Sequence, residues 1–348
     1  MREIRSDLDP GVLRLPSGAT LVLERHRSRI LWGNPVGDPH VRTLAVYLPP
    51  GYAGSSARYP VVYCLAGFTG TGRMLLNATP WAEGLDERLD RLIAAGAVRP
   101  LIAVLPDCFT RYGGSQYVNS SATGRYEDYL AGEIVPHIDR TYRTLARPGS
   151  RAVMGKSSGG YGACILAMRH PNLFGLMACH SGDMYFEYCY GVELPKLASG
   201  LWQHGGLDGF LAAFDAMPRK TADALAIMNM VAMAACYSPD PDEPRGIALP
   251  VDLETGTARP EVWRRWLDHD PVRLAGRHAE AFRRLRLLYL DCGTRDEFHL
   301  HMGARLFARR LRELGIRHVH QEFDDGHMAI TYRYDVSLRL ISEALEVG

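Results

Sequence analysis

Residues 150–162 read SRAVMGKSSGGYG, two adjacent serines set among four glycines. Glycine loses more backbone freedom on folding than any other residue, so a cluster this dense calls for a reason. A Gly-x-Ser-x-Gly spacing between a strand and a helix supplies one. It holds a serine in a sharp, strained turn whose neighbours two before and two after must lack bulk. Ser157 has Gly155 and Gly159 at those positions, whereas Ser158 would have Lys156 and Gly160. Ser157 is therefore the candidate nucleophile. The same letters also describe a plain glycine-rich turn. The apolar run before them and the helix-forming stretch after them favour the catalytic reading.

A serine hydroxyl attacks poorly until a base takes its proton. In a chain built this way the order is Ser, then acid, then His. Of the histidines after Ser157, His327 lies in FDDGHMAI, in a glycine-containing loop directly after the last strand. That places it at the sheet edge where the serine sits. His180 ends a strand at the same edge and is the reserve base, with a structural hydrogen-bonded role as its plainer reading. His318 and His320 alternate along a strand and read as a packed or solvated pair. His299 and His301 open a helix with no carboxylate-rich partner set. The acid should follow the strand in LRLLYLDCGTRDEF, where Asp291 and Asp296 compete. Asp291 belongs to the strand end and suits bracing a loop. Asp296 lies in the loop beyond it and is the favoured acid, with Asp183 a weaker alternative.

The oxyanion of the reaction needs two backbone donors. One is the N–H of Ser158, at the start of a helix whose first N–H groups are free. The other belongs to the loop after the first parallel strand, LAGFTGTG at 65–72, where Gly67 permits close approach and Phe68 offers its N–H.

These side chains must be positioned by a sheet. Apolar runs at 59–67, 99–107, 150–154, 173–182, 284–293 and 316–323 alternate with helical patterns near 81–95, 127–142, 158–170, 299–314 and 335–346. Continuous apolar strands separated by helices indicate a parallel sheet covered on both faces. Segments 20–31 and 41–48 read as two antiparallel strands at its edge. Between about 184 and 275 the alternation breaks. That stretch holds a Met/Ala-rich helix near 221–236 (Met228, Met230, Met233), read as core, and three tryptophans. The expected organisation is a core of residues 1–183 and 276–348, with 184–275 inserted as a cap or lid over the C-terminal strand edge, where open α/β sheets hold ligands.

Composition narrows the class. The 348 residues are 47% hydrophobic and 23% charged, with 40 basic against 39 acidic residues. A net charge of +1 with no basic stripe argues against nucleic acid as a partner. Seven cysteines with no C-x-x-C pair disfavour disulfides and zinc. No run of about 18 apolar residues suggests a membrane span, and the opening MREIRSDLDPG has no apolar segment of the signal-peptide kind. A cytoplasmic protein without metal or cofactor is expected, and a homo-oligomer is left open.

LPPGY at 48–52, AGFTG at 66–70, GKSSGGYGA at 155–163, CGTRDEF at 292–298 and FDDGHM at 323–328 resemble the esterase branch of the α/β-hydrolases. That group contains esterase D (S-formylglutathione hydrolase), feruloyl and acetylxylan esterases, enterochelin esterases and the mycolyltransferases. The resemblance spans about residues 45–345. It implies an α/β-hydrolase fold and a serine carboxylesterase that acts on a small-molecule ester through an acyl-enzyme. Acyl transfer to an alcohol on the same triad, and a non-catalytic binding module, are the alternatives. Many relatives carry His-Gly where this chain has Ala66-Gly67. The likeness also draws attention to DCFTRYGGSQYVNS at 107–120 as a pocket loop, with a packed surface loop as the plainer reading. Gly67, Tyr112, Gln116 and Tyr185 are the expected substrate contacts, and Met184 and Tyr188 lie beside the last of them.

Overall fold

The computed structural model describes residues 11–347; the opening segment examined for a signal peptide lies almost wholly outside them. Nine strands form one sheet. They are β1 (Gly11–Arg14), β2 (Thr20–Arg27), β3 (Val41–Leu48), β4 (Val61–Leu65), β5 (Ile102–Leu105), β6 (Arg151–Lys156), β7 (Leu176–His180), β8 (Leu287–Gly293) and β9 (Val319–Phe323). Their order across the sheet is β1-β2-β3-β5-β4-β6-β7-β8-β9. From β5 through β9 every pair is parallel. The three N-terminal strands pair antiparallel at one edge.

Within the parallel strands, alternate residues serve two cores, as the two-residue period of a strand requires. Val61, Tyr63 and Leu65 face one side, with Val153 and Met177. Val62, Cys64, Met154 and Ala178 face the other. The second face is covered by helices α1 (Leu85–Ala94) and α9 (Tyr334–Ala344). The first is covered by α2 (126–141), α3 (Ser158–Arg169) and α8 (Leu300–Glu313). A π-helical turn at Tyr129–Ile134 interrupts α2.

The elements depart from the sequence pattern at their ends. The segment read as a strand over 20–31 leaves the sheet after Arg27, because the Ser28 hydroxyl turns to bond Glu133. The helix expected from 81 starts at Leu85, and Trp81 stands out in solvent. Strand β1 was not expected from the sequence; its Val12 and Leu13 are exposed, so it has no buried face.

Residues 184–275 form mostly helices, among them α4 (Leu194–Gln203), α5 (Leu207–Ala216), α6 (Ala222–Tyr237) and α7 (Pro260–Leu267). The Met/Ala-rich α6 buries Met228, Met230 and Met233 in the same continuous core as the sheet's first face. The Tyr161 hydroxyl of α3 donates to the His269 carbonyl and ties this region to the sheet. All seven cysteines are buried and unpaired. Among the described residues no helix is long and apolar enough to cross a membrane.

Candidate active site

The glycines around Ser157 are required by contact. A Cβ on Gly159 would stand 2.2 Å from the Leu65 carbonyl oxygen, and one on Gly155 would meet Gly159 at 2.5 Å. A Cβ on Gly160 would press on the His180 carbonyl, and one on Gly162 would enter the Tyr117 ring. The first turn of α3 thus lies directly on the ends of β4 and β7. Ser157 itself adopts φ 58° and ψ −127°, a left-handed conformation that costs a non-glycine residue on the order of 1–3 kcal/mol. Its N–H donates to the His180 carbonyl at 2.9 Å, which fixes the turn.

Strain gathers around this point. Thr69, Gln116, Tyr117, Ser181, Tyr185, His299 and Ala329 also have positive φ. They lie in the loops that follow β4, β5, β7, β8 and β9. Left-handed non-glycine residues mark segments whose geometry the surrounding structure over-determines.

Three of the side chains singled out by the sequence meet here. His327 Nε2 lies 3.1 Å from Ser157 Oγ, and His327 Nδ1 lies 2.8 Å from Asp296 Oδ2. Asp296 is buried; its other oxygen accepts the N–H groups of Phe298 at 3.0 Å and Leu300 at 3.4 Å. Burial works to raise the Asp296 carboxyl. The hydrogen bond and charge of His327, with those N–H groups, outweigh it and hold the group below the usual carboxylate range. The Cys292 thiol donates weakly to the same carboxylate at 3.6 Å.

Two contacts here were not read from the sequence. Glu297 accepts the His327 backbone N–H at 2.7 Å, and the Phe298 ring packs edge-on against the imidazole at 4.9 Å. Their only signal was their place beside Asp296.

The competing residues are otherwise engaged. His180 is sealed on the opposite face, its Nδ1 2.7 Å from Asp291 and its Nε2 2.9 Å from Ser337 Oγ. Asp291 also accepts from Tyr289 and Arg333. Asp183 accepts from Gln116 and Tyr190 and does not bond His327. His318 bonds the Ile316 carbonyl.

The loop after β4 borders Ser157. A Cβ on Gly67 would lie 3.5 Å from Ser157 Cβ. Neither Phe68 N–H nor Ser158 N–H has a backbone acceptor among the described residues. The Ala66 carbonyl accepts the Tyr117 hydroxyl at 2.6 Å. Gly113 and Gly114 lie against the Phe68 ring, so the 107–120 loop packs directly on the loop after β4. Tyr112 and Gln116 are buried there, with Gln116 Nε2 donating to Asp183. Tyr185 is partly exposed at the start of the insertion, its N–H on Asp270 and its ring edge-on to Tyr188.

A family model described as "Putative esterase" matches residues 39–329. The chain is similar to an endo-1,4-beta-xylanase/feruloyl esterase of Xylanibacter ruminicola, 32% identical over 162 residues. That alignment covers 44% of this chain and 21% of the relative. It is also similar to an esterase of Mycobacterium tuberculosis, 30% identical over 181 residues that cover 51% of this chain and 38% of the relative. The chain therefore spans well under half the length of these two proteins. Among solved structures, a ferulic acid esterase superposes with TM-score 0.61 at 19% identity, covering 94% of this chain and 99% of that one. An S-formylglutathione hydrolase from Agrobacterium tumefaciens gives 0.59 at 19% identity, covering 97% and 99%. These likenesses are of fold, and the fold is that of the α/β-hydrolases.

Proposed function

Since the chain belongs to the esterase family, we propose that it is a serine hydrolase that cleaves carboxylic esters, with Ser157 as nucleophile. The observation that carries this reading is the unbroken line Asp296–His327–Ser157, linked at 2.8 and 3.1 Å and ending on a strained serine. His327 Nε2 takes the Ser157 proton as Oγ attacks the ester carbonyl carbon. Asp296 fixes the ring so that Nδ1 carries its proton, and stabilises the imidazolium that forms. The tetrahedral oxyanion is received by the N–H groups of Phe68 and Ser158, worth about 3–4 kcal/mol in the transition state. Collapse expels the alcohol, which takes the proton from His327. Water, deprotonated by the same imidazole, then releases the acid from Ser157.

Residues 184–275 act in this reading as a cap that walls one side of the site. Asp270 supports it by accepting the backbone N–H groups of Tyr185 and Phe186 at the entrance to the insertion.

The test is hydrolysis of 4-nitrophenyl acetate by wild type and Ser157→Ala. The variant is expected to lose activity by at least about 10³-fold. Equal rates would remove Ser157 from the reaction.

A further inference from the structure

Asp183 is 7% exposed and has no cationic side chain among its hydrogen-bond partners. Both of its donors converge on one oxygen. Gln116 Nε2 reaches Oδ2 at 2.9 Å and the Tyr190 hydroxyl reaches the same atom at 2.8 Å. The Gln116 amide is itself held by Tyr237 at 2.9 Å. Among the described residues Oδ1 has no donor, yet it is not one of the buried side-chain atoms left without a partner. It therefore keeps open surface. A carboxylate oxygen left free while its twin is doubly held is an acceptor presented outward. Being open, it can take a donor from outside the protein, water in the free chain or a hydroxyl of a bound ester.

Its surroundings place it at the site. Gly182, just before it, is packed on Gly160 and Tyr161 at the start of α3, behind Ser157. Met184, just after it, is packed on Gly303 in the first turn of α8, beyond the Phe298 loop that touches His327. Gln116 adjoins Tyr117, whose hydroxyl holds the Ala66 carbonyl of the oxyanion loop. The two segments that bring Asp183 and Gln116 together carry four left-handed non-glycine residues, at 116, 117, 181 and 185. Burial pushes the Asp183 carboxyl up, while Gln116, Tyr190 and the His327 charge pull it down. That last influence agrees with a position beside the catalytic line.

We propose that Asp183 Oδ1 is a specificity-determining acceptor that selects esters bearing a hydroxyl group near the scissile bond. Gln116 and Tyr190 are its positioning residues. The inference rests on the serine-esterase reading and deepens it. A site built to accept a hydroxyl discriminates against the analogue that lacks it, because its own polar group is then left unpaired. The hydroxyl can belong to the acyl or to the alcohol portion, and the chemistry is the same.

The experiment compares kcat/KM for two matched pairs. Ethyl 3-hydroxybutyrate against ethyl butyrate reports the acyl side. Glyceryl monobutyrate against propyl butyrate reports the alcohol side. Wild type is expected to prefer the hydroxylated member of at least one pair by about tenfold or more. Asp183→Leu offers no polar group to the hydroxyl and should bring that ratio to about one. If that variant does not fold, Gln116→Met serves, since it releases one donor from Oδ2 and should lower the ratio in the same direction. A ratio near one in wild type for both pairs, or a preference that survives substitution, overturns the proposal. Ser157→Ala on the same four esters separates the two readings. Its inactivity upholds the esterase reading whatever the ratios show, and its retained activity removes that reading.

Discussion

The strand end that carries His180 faces two ways. Its backbone carbonyl receives the Ser157 N–H at 2.9 Å, while its imidazole is locked between Asp291 and Ser337 on the far side of the sheet. The strained serine therefore leans on a strand anchored by a second, sealed His–Asp–Ser set. Burial tends to raise the Asp291 carboxyl, but the charge and hydrogen bond of His180, with the bonds from Tyr289 and Arg333, hold it below the usual range.

Removing that imidazole should cost stability before it costs chemistry. His180→Ala removes one partner of the buried Asp291 carboxylate while Tyr289 and Arg333 remain, and losing a hydrogen bond to a charged group costs about 1.5–3 kcal/mol. Urea unfolding of the variant should show a loss of that order, with a fall of several degrees in Tm. Activity per phosphonate-titratable Ser157 should change by less than about tenfold, since the carbonyl that holds the serine is backbone. An unfolding midpoint equal to that of wild type would show that the sealed set is not an anchor.

In the proposed mechanism Asp296 links catalysis to pH stability. Its carboxyl is held below its ordinary value, so on acidification the unfolded chain takes the proton first. The stability it contributes is fully present above the unfolded value of about 4 and is lost as the pH falls through the folded value. Asp296→Asn should lower kcat by about 10³–10⁴-fold at neutral pH. The Tm difference between wild type and the variant should be steady above about pH 5 and shrink below about pH 4. A difference that grows on acidification would mean that the carboxyl is not stabilised in its charged form.

Two glycines should separate folding from chemistry. An alanine at Gly159 would drive a methyl into the Leu65 carbonyl at 2.2 Å, which backbone cannot evade cheaply. Gly159→Ala should lose at least about 1–3 kcal/mol of stability together with its activity. At Gly67 the nearest contacts are 3.3 and 3.5 Å, to the Lys156 carbonyl and Ser157 Cβ. Gly67→Ala should unfold close to the wild-type denaturant midpoint while kcat/KM falls, because the methyl stands over the serine. Equal behaviour of the two variants in both assays would contradict this division.

What the sequence made legible follows from period and spacing. Five of the parallel strands announced themselves as apolar runs because both faces of the sheet are buried there, as Val61–Leu65 and Ala152–Met154 show, whereas β9 (VHQEF) lies at the edge and is only partly buried. Ser157 was legible because only small residues fit two places either side of it. His327 and Asp296 were legible because chain order and strand ends place them at one edge. Strand β1 was not, since an exposed edge strand has no buried face to impose alternation. Nor was the commitment of Gln116 to Asp183, which depends on two loops 67 residues apart meeting in space. The same holds for Glu297, whose bond to the His327 N–H is a backbone contact that no residue pattern encodes.

The oxyanion donors are the part of the proposed mechanism that side-chain substitution reaches least, so a trapped adduct is the direct test. A phosphonate ester should react with Ser157 and leave a tetrahedral phosphorus on Oγ, with one phosphoryl oxygen in place of the oxyanion. Gly67 lets the β4 loop approach the serine, and the Phe68 and Ser158 N–H groups have no backbone acceptors among the described residues. Ser158 is also the first residue of α3, whose aligned peptide dipoles favour negative charge at that end. A crystal structure of the adduct should place the phosphoryl oxygen about 2.7–3.1 Å from both nitrogens. An oxygen turned toward solvent, or bound by side chains alone, would take the oxyanion role away from Phe68 and Ser158 while leaving Ser157 as the residue modified.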